Sequence, residues 1–353
     1  WLMDLCFVRR WTSRLAASKA RATEHVVRVP QLRYRATFPA HMKIAHERLA
    51  FGSLLGEGQY GQVTGATLAA TKGTATRQQS SVFLQVAVKT MERGRVTAAQ
   101  HRAMLEECQI HLAAHHPFVV ECIGFSTPPD SMDFLMVLEL AQRGSLLDLL
   151  QETRARGHDE LVPAAQRLLW AVQIGTALDH LHADLGIIHR DVAARNVLVC
   201  PQDNAEGRAE LVCKLADFGL ACKESTPGSG VHRHILGQQD DGGSVEFALP
   251  VAWTAPESLH AVGDHVSTNA RTKSKEGVTF MPTTVVAMES TTKGDAWSFG
   301  VLLWEMETGG MAPHEEQADV ADFVVRQGGR LAIPAETCCS LPESRTLMEQ
   351  AWA

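Results

Sequence analysis

The chain has 353 residues, enough for one large domain or for two lobes with separate cores. Its 45% hydrophobic and 21% charged residues are ordinary for a soluble globular protein. A formal charge of −7 argues against a dedicated nucleic-acid binder.

Residues 1–48 show no sustained periodicity but carry ten Lys/Arg against three Asp/Glu, a net of +7 that leaves −14 for the remainder. A basic tail on an acidic domain is expected to meet an anionic surface such as the cytoplasmic leaflet of a membrane; a merely solvated tail is the competing reading. The opening WLMDLCFVRR is apolar and then basic, the order found at the cytoplasmic end of a membrane span. It is far shorter than the ~20 residues a span requires, and it contains Asp4. The chain starts at Trp1 and is expected to be a fragment. Its eight cysteines form no CxxC pair, and no N-x-S/T acceptor occurs. Reduced, mostly buried thiols in the cytoplasm are expected.

From Leu49 the pattern changes. Leu49, Phe51 and Ser53 lead into LGEGQYGQV, which reads as strand, Gly-rich turn and strand. Residues 69–81 are small and polar, a loop by composition. Residues 82–90 predict a strand, and residues 98–114 a helix bearing Met104, Leu105, Cys108 and Leu112. Residues 118–125 and 134–140 predict two more strands. Beyond Ala141 the pattern turns helical. Ser145 is placed to cap a helix that starts LLDLLQ, and residues 164–182 and 295–308 predict long helices. A block of strands followed by a block of helices predicts an α+β protein with two lobes. Residues 201–208, 223–243 and 261–293 look like insertions and are expected to be surface loops.

Several motifs carry chemistry. LGEGQYGQV supplies Gly56, Gly58 and Gly61, then Val63. Glycines let a backbone approach phosphates closely. Here the turn is followed by a strand instead of opening a helix, which disfavours a dinucleotide site. VAVK ends an apolar strand on Lys89, a residue costly to bury without a partner. Its expected work is to hold phosphates while a helix glutamate holds it in turn. Glu107 is the candidate, favoured by its spacing to His116-Pro117, and Glu106 is the runner-up; against Glu107, the position one turn on is then His111, where Glu106 would put the apolar Ile110. HRDVAARNVLV spans His189 to Val199. Phosphoryl transfer needs a carboxylate to orient the attacking hydroxyl, and Asp191 fits. It needs hard oxygen ligands for Mg²⁺, and Asn196 and the Asp217 of DFG fit. His189 and Arg190 would anchor the loop.

With LPVAWTAPE and GDAWSFGVLLWEM following in order, the chain from Leu49 onward resembles the protein kinase domain, and within it the receptor-type tyrosine kinases. The resemblance implies a bilobal fold: a five-stranded antiparallel N-lobe sheet with one helix over residues 49–141, and a mainly helical C-lobe over residues 142–353 that lacks its last helices. It implies ATP in the cleft, with Mg²⁺ (or Mn²⁺) and a protein substrate bearing tyrosine. Leu55, Gly56, Gly58 and Gly61 would cover the nucleotide, and Val63, Ala87 and Leu198 would enclose adenine. Glu139 and Ala141 would offer hinge backbone groups, Leu138 would be the gatekeeper, and Asp148 would approach the ribose. Lys89, Glu107, Asp191 and Arg195 would carry catalysis, with Asn196 and Asp217 on the metal. The parent would lie at the cytoplasmic face of the plasma membrane, with dimerisation if it is a receptor, or in the cytoplasm.

Tyrosine preference rests on three departures from the Ser/Thr pattern. Ala193 stands where those enzymes usually have Lys, Arg195 stands where receptor-type tyrosine kinases have arginine, and Pro250 and Trp253 stand where tyrosine kinases form a platform for a phenol. Ala252 replaces the usual basic residue. A Ser/Thr or dual-specificity enzyme and a pseudokinase scaffold remain the alternatives, though Lys89, Asp191 and Asp217 are all present. The only tyrosines are Tyr34 and Tyr60, so no phosphotyrosine can form between Asp217 and Glu257. Ser225, Thr226, Ser229 and Ser244 are the candidate phosphosites there. Activation is expected not to depend on loop tyrosine phosphorylation. MEQAWA ends the chain before an arginine that could pair with Glu257, so a partly buried, unpaired Glu257 is expected to weaken the C-lobe.

Overall fold

The computed structural model describes residues 24–28, 35–58, 61–69, 83–90, 98–129, 134–157, 162–203, 209–223, 247–260, 272–273, 279–283, 291–334 and 342–353. Tyr34, Tyr60 and the candidate phosphosites Ser225, Thr226, Ser229 and Ser244 lie outside these residues.

Strands β1 (Glu24–Arg28) and β2 (Arg35–Pro39) pair as an antiparallel hairpin. Strands β3 (Leu49–Gly58), β4 (Gly61–Ala69) and β5 (Phe83–Thr90) follow, then helix α1 (Ala98–Ala113), then β6 (Cys122–Ser126) and β7 (Leu135–Glu139). The last five strands form one antiparallel sheet in the order β3-β4-β5-β7-β6. These are the five strands and one helix that the sequence predicts. Period-2 alternation gives the sheet two faces. Val86 and Val88 of β5 pack outward with Ala66, Leu68, Leu135, Val137, Ile44 and Leu49. Ala87 and Lys89 point the other way, opposite Gly65 and Val63 on β4 and Leu138 and Met136 on β7. α1 lies on that second face. Its buried residues Met104, Glu107, Cys108 and His111 recur at helical spacing.

Residues ahead of the expected boundary at Leu49 pack against the sheet. Phe38 is fully buried, with its ring 4.9 Å from Phe125 and 5.4 Å from Phe134. Ile44 N donates to Phe125 O at 2.7 Å. Gly124 makes this crossing feasible, because a Cβ there would fall on the Met42 carbonyl. The sequence hides this role because Phe38 and Ile44 are buried as single apolar anchors, six residues apart and without a regular period.

After the hinge come α2 (Leu146–Arg156) and α3 (Ala164–Asp179), with one wider turn at His180–Asp184. Ser145 caps α2 in a closed capping box: its side chain accepts from Asp148 N, and Asp148 accepts from Ser145 N. β8 (Ile187–Ile188) precedes the HRD loop; β9 (Val197–Asp203) and β10 (Ala209–Leu215) form a ribbon, and β11 (Cys222–Lys223) returns to pair with β8. β12 (Phe247–Leu249), α4 (Pro256–His260), β13 (Thr272–Lys273) and β14 (Thr279–Thr283) follow, with β14 between β12 and β13. Long α5 (Thr292–Thr308) and α6 (Pro342–Ala351) complete the fold. Two loop expectations need correction. Pro201–Asp203 continues β9 because it keeps pairing with β10, and the 261–293 stretch contains two short strands. Cys108, Cys122, Cys200, Cys213 and Cys222 are buried free thiols.

Candidate active site

Lys89 reaches from β5 into the cleft between the lobes. Its Nζ lies 2.7 Å from Glu107 Oε1 and 3.0 Å from Asp217 Oδ1. Burial alone would lower the Lys89 pKa, but Asp217 and Glu107 outweigh it and hold the ammonium above its ordinary range. Burial raises the Glu107 pKa, against the opposing pull of Lys89. Burial also works against ionisation of Asp217, yet the Lys89 charge and hydrogen bonds from Lys89 and Gly219 N bring its pKa down to about 2. The Asp217 side chain is 40% exposed to the cleft, so water screens part of its pairing. Of the two glutamates weighed in the sequence, Glu107 meets the lysine because it falls on the buried stripe of α1.

His111 follows one turn after Glu107 and is buried. Its ring meets Phe218 edge-on at 4.5 Å, and Phe218 meets His189 at 5.1 Å. Burial brings the His111 pKa down to about 3. It is therefore a neutral ring at physiological pH, which is how an imidazole serves where an apolar residue is expected.

The HRD loop is held from below by α5. Asp295, fully buried, accepts from His189 N and Arg190 N at 2.7 Å each and meets His182 Nε2 at 2.7 Å. Arg190 and Asp217 both adopt left-handed backbone conformations, φ 66° and 60°, which non-glycine residues keep only when their surroundings dictate it. Arg190 donates through Nε to Leu220 O, tying the HRD loop to the DFG segment. Asp191 receives Arg195 Nη2 on one carboxylate oxygen and Asn196 Nδ2 on the other, the latter at 2.7 Å. The Arg195 guanidinium also lies 4.3 Å from the centre of the Trp253 ring. Asn196 Nδ2 donates as well to Asp191 O, which leaves the Asn196 amide oxygen as its remaining polar atom. That oxygen and the second carboxylate oxygen of Asp217 are hard donors of the kind a small divalent cation takes.

The nucleotide side of the cleft is built by strand register. Val63, Ala87 and Leu138 share the cleft face of the sheet. Leu198 lies on β9, where it bridges to Ser145, and the strand is pinned by Val199 N to Gly144 O at 2.9 Å. Gly58 and Gly61 pair across the turn, and Gly61 holds φ 139°. A Cβ on Gly56 would meet no protein atom within 4 Å, so packing does not demand glycine there. Leu55 is 51% exposed, with its methyls over the Gly65 position. At the hinge, Glu139 N donates to Glu121 O at 3.0 Å and Ala141 O accepts from Gly144 N at 3.3 Å. The Glu139 carboxylate meets Lys214 Nζ at 2.7 Å. Asp148 Oδ2 is engaged by Ser145, leaving one carboxylate oxygen open.

Two sequence expectations change. Trp253 and Pro250 are buried, so the phenol platform is not their open surface; the indole instead underlies Arg195. Glu257 is exposed and carries no burial penalty. Two residues were missed. Asp295 and Glu305 lie within a helix whose string, GDAWSFGVLLWEM, reads as apolar, and each is a buried carboxylate taking backbone N–H groups of the HRD loop. The readable signal was an acid set among residues that turn inward on every face.

A cleft that joins a lysine and a glutamate on one wall to an aspartate on the other, with a second, restrained aspartate beside it, suits transfer of a phosphoryl group to a hydroxyl: this is the architecture of a protein kinase. A model of the family described as protein tyrosine and serine/threonine kinase matches residues 49–269 and 260–353, and the chain belongs to that family. It is 31% identical over 318 residues to tyrosine-protein kinase Abl of Drosophila melanogaster, covering 89% of this chain and 15% of that protein. It is 30% identical over 311 residues to human proto-oncogene tyrosine-protein kinase ROS, covering 87% and 11%. It is 29% identical over 297 residues to tyrosine kinase receptor Cad96Ca of Drosophila melanogaster, covering 81% and 31%. The chain spans under a third of the length of these three relatives. Members of the family use ATP and a divalent cation. Among the described residues, no helix is long and apolar enough to cross a membrane.

Proposed function

We propose that this chain is a protein tyrosine kinase that transfers the γ-phosphoryl group of MgATP to tyrosine hydroxyls. The observation that carries the reading is the Arg195 guanidinium held between Asp191 and the Trp253 ring, on a loop with Ala193 where Ser/Thr enzymes usually carry lysine. Lys89, held by Glu107, orients the α- and β-phosphates. Asp191 orients the phenol and takes its proton as the phenol oxygen bonds to the γ-phosphorus and the bridging bond to ADP breaks. Asn196 and Asp217 would hold Mg²⁺, which when bound neutralises charge developing on the phosphates. Val63, Ala87 and Leu198 enclose adenine, Asp148 meets the ribose, and the Gly56–Gly61 turn covers the phosphates.

The domain includes the packed segment from Phe38, and the basic residues before it face an anionic membrane surface. Names such as tyrosine kinase receptor among the relatives support a receptor-like parent with its kinase on the cytoplasmic side. Without a tyrosine between Asp217 and Glu257, activation runs independently of loop phosphotyrosine.

The test is transfer from radiolabelled ATP, with Mg²⁺, to peptides offering Tyr, Ser or Thr, run beside Lys89→Met and Asp191→Asn. Phosphotyrosine from the wild type alone is expected, with losses of about 10²-fold or more in the variants. Phosphoserine or phosphothreonine as the main product would overturn the tyrosine assignment. ATP binding without transfer would mark a scaffold.

A further inference from the structure

Glu305 is 1% exposed on α5, and the transfer steps above make no use of it. Its Oε2 accepts from Ala194 N at 2.9 Å, so it meets the catalytic loop between Asp191 and Asn196. The groups facing its carboxylate are the Ala194 N–H, the Arg195 guanidinium and the Asp191 carboxylate from that loop, and the Trp253 indole from the segment after β12. The indole N–H is near enough to favour the charged carboxylate but misses hydrogen-bond geometry. Arg195 Nη1 is likewise a buried donor without a hydrogen bond. The guanidinium thus has Asp191 at one edge, the Trp253 face at 4.3 Å, and the negative field of Glu305 behind it.

We propose that Glu305 is a positioning residue for phosphoryl transfer: from α5 it fixes the Ala194–Arg195 segment so that the guanidinium, stacked on Trp253, is presented at the Asp191 carboxylate and the incoming phenol. The proposal rests on the reading of Asp191 and Arg195 given above. It distinguishes Glu305 from a residue kept for stability. Burial pushes its carboxyl up to about 7, outweighing the Ala194 N–H, Trp253 and Arg195, which pull the other way. A raised carboxyl favours the folded state below its ordinary value near 4.5, and that advantage is lost as pH rises through about 7. At about pH 8 the fold is therefore better served by a neutral group, whereas a positioned guanidinium is better served by the anion.

Glu305→Gln separates the two roles, because it keeps an acceptor for Ala194 N–H and removes the charge. The expected result is a fall of about 10-fold in kcat for a tyrosine peptide, with KM for ATP unchanged and a melting temperature at about pH 8 no lower than that of the wild type. The wild-type kcat should rise with pH through about 7, and the variant should lack that limb. Trp253→Phe, which keeps the ring under Arg195 and drops the N–H, should lose less activity than Trp253→Ala. A Glu305→Gln protein with unchanged kcat overturns the proposal. So does one that melts lower and loses ATP affinity together with kcat, since Glu305 then serves the fold. Asp191→Asn is measured alongside: if it retains transfer, the reading of the catalytic loop itself fails, whereas loss of transfer there with an unaffected Glu305→Gln removes only the positioning role.

Discussion

Lys89 joins two carboxylates that respond differently to their surroundings. Asp217 opens to the cleft and is held ionised down to about pH 2, so its contribution to stability is present above its ordinary value of 3.8 and is lost as pH falls through about 2. Glu107 is 5% exposed and has its pKa raised even with the lysine beside it. Lys89→Met removes the opposing charge, so the buried Glu107 must bind a proton or carry an unpaired charge. The variant's stability deficit relative to wild type should grow as pH rises above the ordinary carboxylate range, by at most about 1.4 kcal/mol per pH unit. Denaturant melts at three pH values measure it. A deficit that does not change with pH would mean that Glu107 contributes nothing once Lys89 is gone. The pairing itself could be anticipated from VAVK and from the spacing in MLEECQI. The choice between Glu106 and Glu107 needed the burial of one face of α1, because His111 made the apolar pattern ambiguous.

α5 is where sequence reasoning recovers the element but not its use. Its start and stop follow from Thr291, which caps Gly294 N, and from Gly309, which ends the helix at φ 67°. Its interior packs against both the catalytic loop and α6, so acidic letters in an apolar run became the two supports of that loop. Gly300 is the point of closest approach to α6: a Cβ there would lie 2.6 Å from Trp352 Nε1 and 2.7 Å from Ala351 Cβ. Gly300→Ala should therefore destabilise the protein by about 1–3 kcal/mol through overpacking, despite the better helix propensity of alanine. Gly294→Ala in the first turn, where the nearest atom is 3.9 Å away, should leave the melting temperature unchanged or raise it. Equal effects at the two sites would show that α6 is not docked on α5 in solution.

The two lobes and the strands of the first were readable because alternation and Gly-rich turns are local signals; the order β3-β4-β5-β7-β6 depends on which strands pair and was not. The packing of Phe38 and Ile44 on the sheet was not readable either, since they are single apolar anchors in a basic stretch, and their burial depends on the Phe125 strand far along the chain. Removing residues 1–23, ahead of β1, should leave thermal stability unchanged, whereas removing residues 1–48 should cost at least the about 3–5 kcal/mol expected for losing a buried phenylalanine. Equal melting temperatures for the two shortened chains would return the limit to Leu49. Charge divides the same way: the segment before Leu49 carries +7 and the remainder −14, so removing 1–23 should also weaken binding to vesicles rich in phosphatidylserine.

The register of β5 carries one more consequence. Its residues alternate between two unlike environments, with Val86 and Val88 in the outer apolar layer and Ala87 and Lys89 in the cleft. The strand therefore works as a two-position selector. Length changes in the connection that precedes it can be absorbed before the strand begins. A single residue inserted within it would turn Val88 toward the phosphates and drive the Lys89 ammonium into the hydrocarbon layer, abolishing nucleotide binding and folding of the lobe in one step. Drift in this chain should accordingly accumulate as substitutions within β5 and as insertions outside it.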